Sequence, residues 1–149
     1  MATEPVALDH GKVLYVVDVL QNIDMSPIDK RLIGKMGDKE YIDGLKGETI
    51  KFLGIAFSGE GNFAPSQKID EYWHEMVLNT PFYASLSEKI GKFVHHIPSD
   101  KQEHEAYVRT LNAYKSVFGV PNKKYWKLED AADCESFCDG GACEANCRD

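Results

Sequence analysis

The chain has 149 residues, 43% of them hydrophobic and 28% charged, with seven Phe, seven Tyr and two Trp. Those are the proportions of one globular domain able to bury about two thirds of the surface its unfolded form exposes, with no need of a disulfide scaffold. Twenty-four acidic against seventeen basic side chains give a net charge of -7 with no local basic patch, which argues against nucleic acid as a partner. No run of eighteen apolar residues occurs, and Met1 to His10 lacks a basic stretch followed by an apolar one. Neither a spanning helix nor an export signal is expected, and the cytoplasm is the expected compartment.

Val13, Val16, Val17 and Leu20 recur at i, i+3, i+4, i+7 and predict a first helix, against the short buried strand that the valine-rich run Val13 to Val19 would also suit. Ser26 and Pro27 resemble an N-cap with Pro at the first helical position, opening a short helix that Gly34 and Gly37 close. Tyr41, Leu45, Thr49, Phe52, Leu53 and Ala56 trace a third helical stripe, weakened by Gly44 and Gly47 at roughly 1 kcal/mol each relative to Ala. Gly54 to Pro65, with three glycines, is expected to be a loop.

Ser66 is expected to cap the next helix, whose buried stripe is Ile69, Tyr72, Trp73 and Met76. Asp70 and His74 lie beside that stripe and are expected to be half buried, with Glu71 and Glu75 farther round toward solvent. Thr80-Pro81 repeats the cap-plus-Pro signal, and this helix carries Phe82, Leu86 and Ile90 inward until Gly91 stops it. Phe93 to Ile97 is expected to be extended, because the residue before Pro98 is pushed away from helical angles. Ser99 to Gln102 has capping-box spacing, and Tyr107, Val108, Leu111, Tyr114 and Phe118 continue the clearest amphipathic helix of the chain, ended by Gly119 and Pro121. With no fixed-period repeat and no Rossmann or P-loop glycine pattern, the expected architecture is all-α: a compact bundle of five to six short helices over residues 1–127, then a cysteine-containing C-terminal tail over 128–149.

Chemistry is most concentrated in two stretches. Asp70 and His74 stand at i and i+4 on one side of a helix, and the imidazole pair His95-His96 follows before Pro98. An ionised carboxylate with two neutral imidazoles is a three-ligand set with open positions: with zinc it would activate water, and with iron(II) it matches a facial triad that binds oxygen. Adjacent residues of an extended segment face opposite ways, so only one of His95 and His96 is expected to bind the ion directly. The competing interpretation makes Asp70 and His74 a helix-surface pair, with His95 and His96 bonding backbone carbonyls. His10, near a terminus expected to fray, and His104, on the apolar face of the last helix, have weaker claims, and Tyr72, Trp73 and Tyr83 are expected to pack as core. Tyr83 could also bring its hydroxyl near a site between helices.

The run Ala64-Pro65-Ser66 through Ile69-Asp70-Glu71-Tyr72-Trp73-His74, then Asn79-Thr80-Pro81-Phe82-Tyr83, then Gly91-Lys92-Phe93-Val94-His95-His96-Ile97-Pro98 resembles the glycine-rich domain-containing protein-like family over about residues 49–126. The pattern falls on Asp70, Trp73, His74, Thr80, Tyr83, Gly91, His95, His96 and Pro98, while Glu75 and Met76 stand where relatives often continue with aromatic or aliphatic residues. The resemblance implies a helical domain and no particular activity.

Cys134, Cys138, Cys143 and Cys147 read C-x3-C-x4-C-x3-C about Gly140-Gly141. Two helical turns folded back on each other would nest Cys134 with Cys147 and Cys138 with Cys143 as disulfides. A four-thiolate zinc site and free thiols are the alternatives, favoured by a reducing compartment although the spacing departs from the usual C-x2-C. The expected function is therefore a small helical metal-binding protein, with an oxidative or hydrolytic enzyme as its extension through a zinc or iron ion at Asp70, His74 and His95 or His96. The rival is a non-catalytic module that binds a partner protein.

Overall fold

The computed structural model of the chain describes residues 8–59, 62–95 and 104–128, together with the backbone of 137–140 and 142–148. Among the described residues six helices follow one another: α1 His10–Gln21, α2 Ser26–Met36, α3 Lys39–Ser58, α4 Gln67–Leu78, α5 Thr80–Ile90 and α6 His104–Phe118. The helical bundle expected from the sequence is the fold observed. Among the described residues no helix is long and apolar enough to cross a membrane.

The punctuation of these helices follows local chemistry. Asp9, Asp38 and Ser66 cap α1, α3 and α4 by accepting from the backbone N–H groups of Lys12, Tyr41 and Ile69. Gly37 and Gly91 close α2 and α5 in the left-handed conformation, with φ of 75° and 91°, where a side chain would be strained. Two expected caps move by one residue. Asn79, not Thr80, accepts from Phe82 N–H at the start of α5, so Thr80 and Pro81 are the first two helical residues. Ser26 is likewise already helical, its N–H and hydroxyl both bonded to the Asp24 carboxylate. Gly34, expected to help end α2, lies within it.

The largest departure is α3, which runs through Gly54 to Ser58 where a loop was expected. Phe52, Leu53, Gly54, Ile55, Ala56 and Phe57 are all buried, so this half of the helix is enclosed on every side and has no polar face to announce its period. Helices α1, α2, α4 and α6 all pack against α3. Gly54 is where α1 crosses closest: a Cβ there would meet Val17 Cγ2 at 2.8 Å and the Val13 carbonyl oxygen at 3.2 Å. Gly44 has a similar purpose, for a Cβ would overlap the Tyr125 hydroxyl that sits over it.

After α6, Gly119 (φ 92°) turns the chain back and residues 121–128 lie along the bundle. Trp126 and Tyr125 are buried there, held by Trp126 Nε1 to Glu48 (2.9 Å), Ser66 Oγ to the Tyr125 carbonyl (2.7 Å) and Tyr107 Oη to the Lys127 carbonyl (2.6 Å). Beyond this anchor, the backbone of Phe137–Gly140 (β1) and Ala142–Arg148 (β2) runs antiparallel and paired, not as helical turns. Cys134 lies outside the described residues, and of Cys138, Cys143 and Cys147 only the backbone is described. The disulfide, zinc and free-thiol alternatives stand as the sequence left them.

The two kinds of glycine in α3 differ in a measurable way. Gly47 is exposed, and a Cβ there would meet nothing within 4 Å. Gly47→Ala should stabilise the protein by about 0.4–1 kcal/mol through the unfolded chain and helix propensity, whereas Gly54→Ala should cost about 1–3 kcal/mol by forcing α1 away. Urea unfolding of the two variants checks both signs.

Candidate functional site

Helix α4 carries two of the candidate ligands, and its wheel explains where they go. Ile69, Tyr72, Trp73 and Met76 are buried and define the inward direction. At 100° per residue, Asp70 and Glu75 fall on opposite flanks about 110° from that direction, and His74 and Glu71 fall about 150° away. Asp70 is accordingly half buried, but His74 is exposed, not half buried as expected. Both have interacting partners.

Glu75 reverses the expectation made for it. Its side chain is only 3% exposed, because α2 lies along that flank and brings two cations to it: Arg31 Nε at 2.8 Å from Oε1, and Lys35 Nζ on Oε2. The hydrogen bond from Lys35, joined by Arg31, holds the Glu75 carboxyl below its usual range in spite of the opposing cost of burial. One turn earlier on the same flank, the buried Tyr72 hydroxyl donates to Asp29 Oδ1 of α2 at 2.7 Å, and Asp29 Oδ2 in turn receives Lys46 Nζ at 2.9 Å. Burial and then the Asp29 carboxylate raise the Tyr72 phenol, so it stays a donor.

Through Trp73, α4 also meets α5 and the segment that follows it. Trp73 Nε1 donates to the Tyr83 hydroxyl at 3.1 Å, and that hydroxyl donates to the Val94 carbonyl oxygen at 2.5 Å. The Tyr83 ring stands edge-on to Phe93 (centroids 5.3 Å, 84° between planes), and Phe93 stands edge-on to the His95 ring (4.7 Å, 61°). Lys92 Nζ reaches the Gly59 carbonyl at 3.2 Å, fixing the start of the same segment. Tyr83 is thus buried core, as expected, with its hydroxyl at the junction of α4 and residues 92–95. His95 is exposed, and His96 lies outside the described residues together with Pro98 and the Ser99 to Gln102 box. Among the described residues no three His, Cys, Asp or Glu side chains are gathered closely enough to hold a metal ion.

The remaining histidines lie at helix starts. His104 is the exposed first residue of α6, not a core or boundary residue, because the inward stripe of that helix begins with Ala106 and Tyr107. His10 opens α1, its Nε2 3.4 Å from Ser116 Oγ.

A polar centre absent from the sequence expectations lies at Glu48 of α3. Its Oε1 accepts from the Tyr114 hydroxyl at 2.6 Å and from Trp126 Nε1 at 2.9 Å, while Lys51 Nζ stands 3.4 Å from Oε2 and over the rings of Tyr114 and Phe118. Burial, then the bond to Glu48, raises the Tyr114 phenol. The signal was present: Leu45, Glu48, Thr49 and Phe52 stand at i, i+3, i+4, i+7, so a glutamate occupies a position of the inward stripe. A carboxylate with three donors binds α3, α6 and the 121–128 segment together and needs no ligand to satisfy it.

Compared with family models, with curated proteins and with solved structures, the chain matches none. None of the comparisons bears on the resemblance to the glycine-rich domain-containing protein-like family expected from the sequence.

Two predictions follow from these carboxylates. Removing Glu48 as Glu48→Ala leaves two buried donors without an acceptor and should cost about 2–4 kcal/mol in chemical unfolding. Glu75, with its folded pKa lowered, contributes stability above the ordinary carboxylate value of 4.5 that is lost as the pH falls through its own lower value. Wild type should exceed Glu75→Gln by about 1–2 kcal/mol at pH 7, with the gap closing below about pH 4.5 in a series of melts.

Proposed function

We propose that this chain is a small helical metal-binding protein whose site is formed by Asp70 and His74 of α4 with one imidazole of the His95-His96 pair. One observation carries the reading: Trp73, beside His74, and Val94, beside His95, are bonded to the same Tyr83 hydroxyl. Trp73 leans from the α4 stripe toward the Asp70 flank, at about 60° from Asp70 on the wheel. Tyr83 thereby ties residue 94 to Trp73 of α4, while α2 covers the flank that carries Glu75. The ring of His95 packs against Phe93, and His96 lies outside the described residues.

A carboxylate oxygen and two imidazole nitrogens suit zinc or iron(II) and leave coordination positions for water or a substrate. Hydrolytic chemistry would use a zinc-bound water, and oxidative chemistry an iron(II) centre with two adjacent open positions. The rival reading, a non-catalytic module for a partner protein, draws on Leu14 and Tyr15, adjacent on α1 and more than half exposed at 54% and 58%.

The test uses the full chain with its four tail cysteines changed to serine, so that thiolates do not contribute. Stripped with chelator and titrated with Zn²⁺ or, anaerobically, Fe²⁺, it should take up about one equivalent, and His74→Ala and Asp70→Ala should each weaken binding by at least about tenfold. One of His95→Ala and His96→Ala should weaken it similarly and the other less. Uptake below a tenth of an equivalent under all these conditions overturns the metal site and leaves the interaction module.

A further inference from the structure

We infer that the groove filled by residues 121–128 is also an interface between two copies of this chain, each seating that strap in the other. The strap is gripped both by its backbone and by two of its rings. Its carbonyls at Lys124, Tyr125 and Lys127 accept from Lys68 Nζ (2.8 Å), Ser66 Oγ (2.7 Å) and Tyr107 Oη (2.6 Å), side chains of α4, of its cap and of α6. The rings enter separate sockets. Tyr125 lies over Gly44, where a Cβ would stand 2.0 Å from the phenol oxygen, and Trp126 bonds Glu48 and packs against Tyr107 and Tyr114. The strap also carries a turn of its own, because Asn122 takes the N–H of Lys124 on its side chain and those of Tyr125 and Trp126 on its carbonyl. A turn closed by its own bonds keeps its shape wherever it is docked.

The link between strap and bundle is short. Helix α6 ends at Phe118 and Pro121 is already buried, which leaves Gly119 and Val120, the latter 81% exposed. Gly119 turns the chain back at a φ of 92°, while the proline after Val120 favours extended backbone there. Short hinges of this kind invite exchange. Straightening the hinge carries the strap to a second copy, and the closed two-fold pair keeps every contact of the groove, because both chains supply identical residues. The exchanged pair competes with a tethered strap at high effective concentration, so its population rises with protein concentration. A side chain at position 119 weighs on one form alone. It would meet nothing within 4 Å, but the left-handed angle of the folded-back turn penalises any L residue, and an extended hinge carries no such cost.

The full chain is unfolded in urea with reductant, so that its tail thiols form no intermolecular disulfide, refolded at a series of concentrations and weighed by light scattering after gel filtration. Wild type should show a dimer fraction that grows with concentration. Gly119→Ala should shift the balance toward dimer by about 5–30-fold for each hinge, where a purely structural strap would leave a less stable monomer. Trp126→Ala added to Gly119→Ala should remove the dimer, and a dimer that survives it uses another surface and overturns the exchange. A mixture supplies a second test that does not depend on the hinge. Gly44→Leu has an obstructed groove and an intact strap, and Trp126→Ala an open groove and a stripped strap. Refolded together they should form a one-to-one complex that neither forms alone. Gly119→Ala that stays monomeric up to about 1 mM, the effective concentration of a short tether, or folded partners that do not combine in the mixture, overturn the inference.

Discussion

A helix that is apolar around its whole circumference has to be surrounded, and the C-terminal half of α3 imposes that requirement on the rest of the chain. Each large aliphatic or aromatic side chain it buries contributes about 1.5–3 kcal/mol relative to exposure, which no single flanking helix could collect. Phe52 and Phe57 are both fully buried in it. The enclosure is completed by α1 pressed onto Gly54, α2 and α4 along further faces, and α6 with the returning segment that carries Trp126.

Polar groups inside this enclosure are placed as ties between elements. Glu48 gathers α3, α6 and the segment after it, Asp29 and Glu75 join α2 to α4, and the Tyr83 hydroxyl joins α4 to the residues following α5. Each tie satisfies a buried donor or acceptor that would otherwise be costly, so each also fixes a relative position. The last fixes the start of the chain that leads into His95. The flank of α4 taken by α2 is occupied by Arg31 and Lys35, whose positive charge would repel a metal ion.

Comparing residues with their positions shows where reading the chain succeeds. Val13, Val16, Val17 and Leu20 all lie in the core, Ser66 caps α4, and Gly37, Gly91 and Gly119 adopt the left-handed conformation that ends a helix. These are decided within about one helical turn of sequence, by side-chain spacing and by which residue tolerates which backbone angles. The i, i+4 relation of Asp70 and His74 was legible for the same reason, whereas the spacing on α5 put Phe82 and Ile90 inward and the structure buries Tyr83, Leu86 and Ser87 there, leaving Phe82 and Ile90 half buried. The exposure of His74 was legible from the wheel, on which it falls about 150° from the inward direction, but the burial of Glu75 was not, since by the wheel alone a glutamate on the edge of a stripe is a solvent residue.

What the sequence determined by itself is therefore the set of helices, most of their ends and most of the inward positions of α1, α3, α4 and α6, because those depend on interactions among near neighbours. The tertiary structure alone decided that Gly54 is a contact with α1 and not a break, that Glu75 meets two cations from α2, that Glu48 is an internal tie, and that one tyrosine hydroxyl brings the stretch before His95 onto α4. Each of those depends on an atom contributed from ten to nearly eighty residues away along the chain, and no local pattern encodes which distant partner arrives.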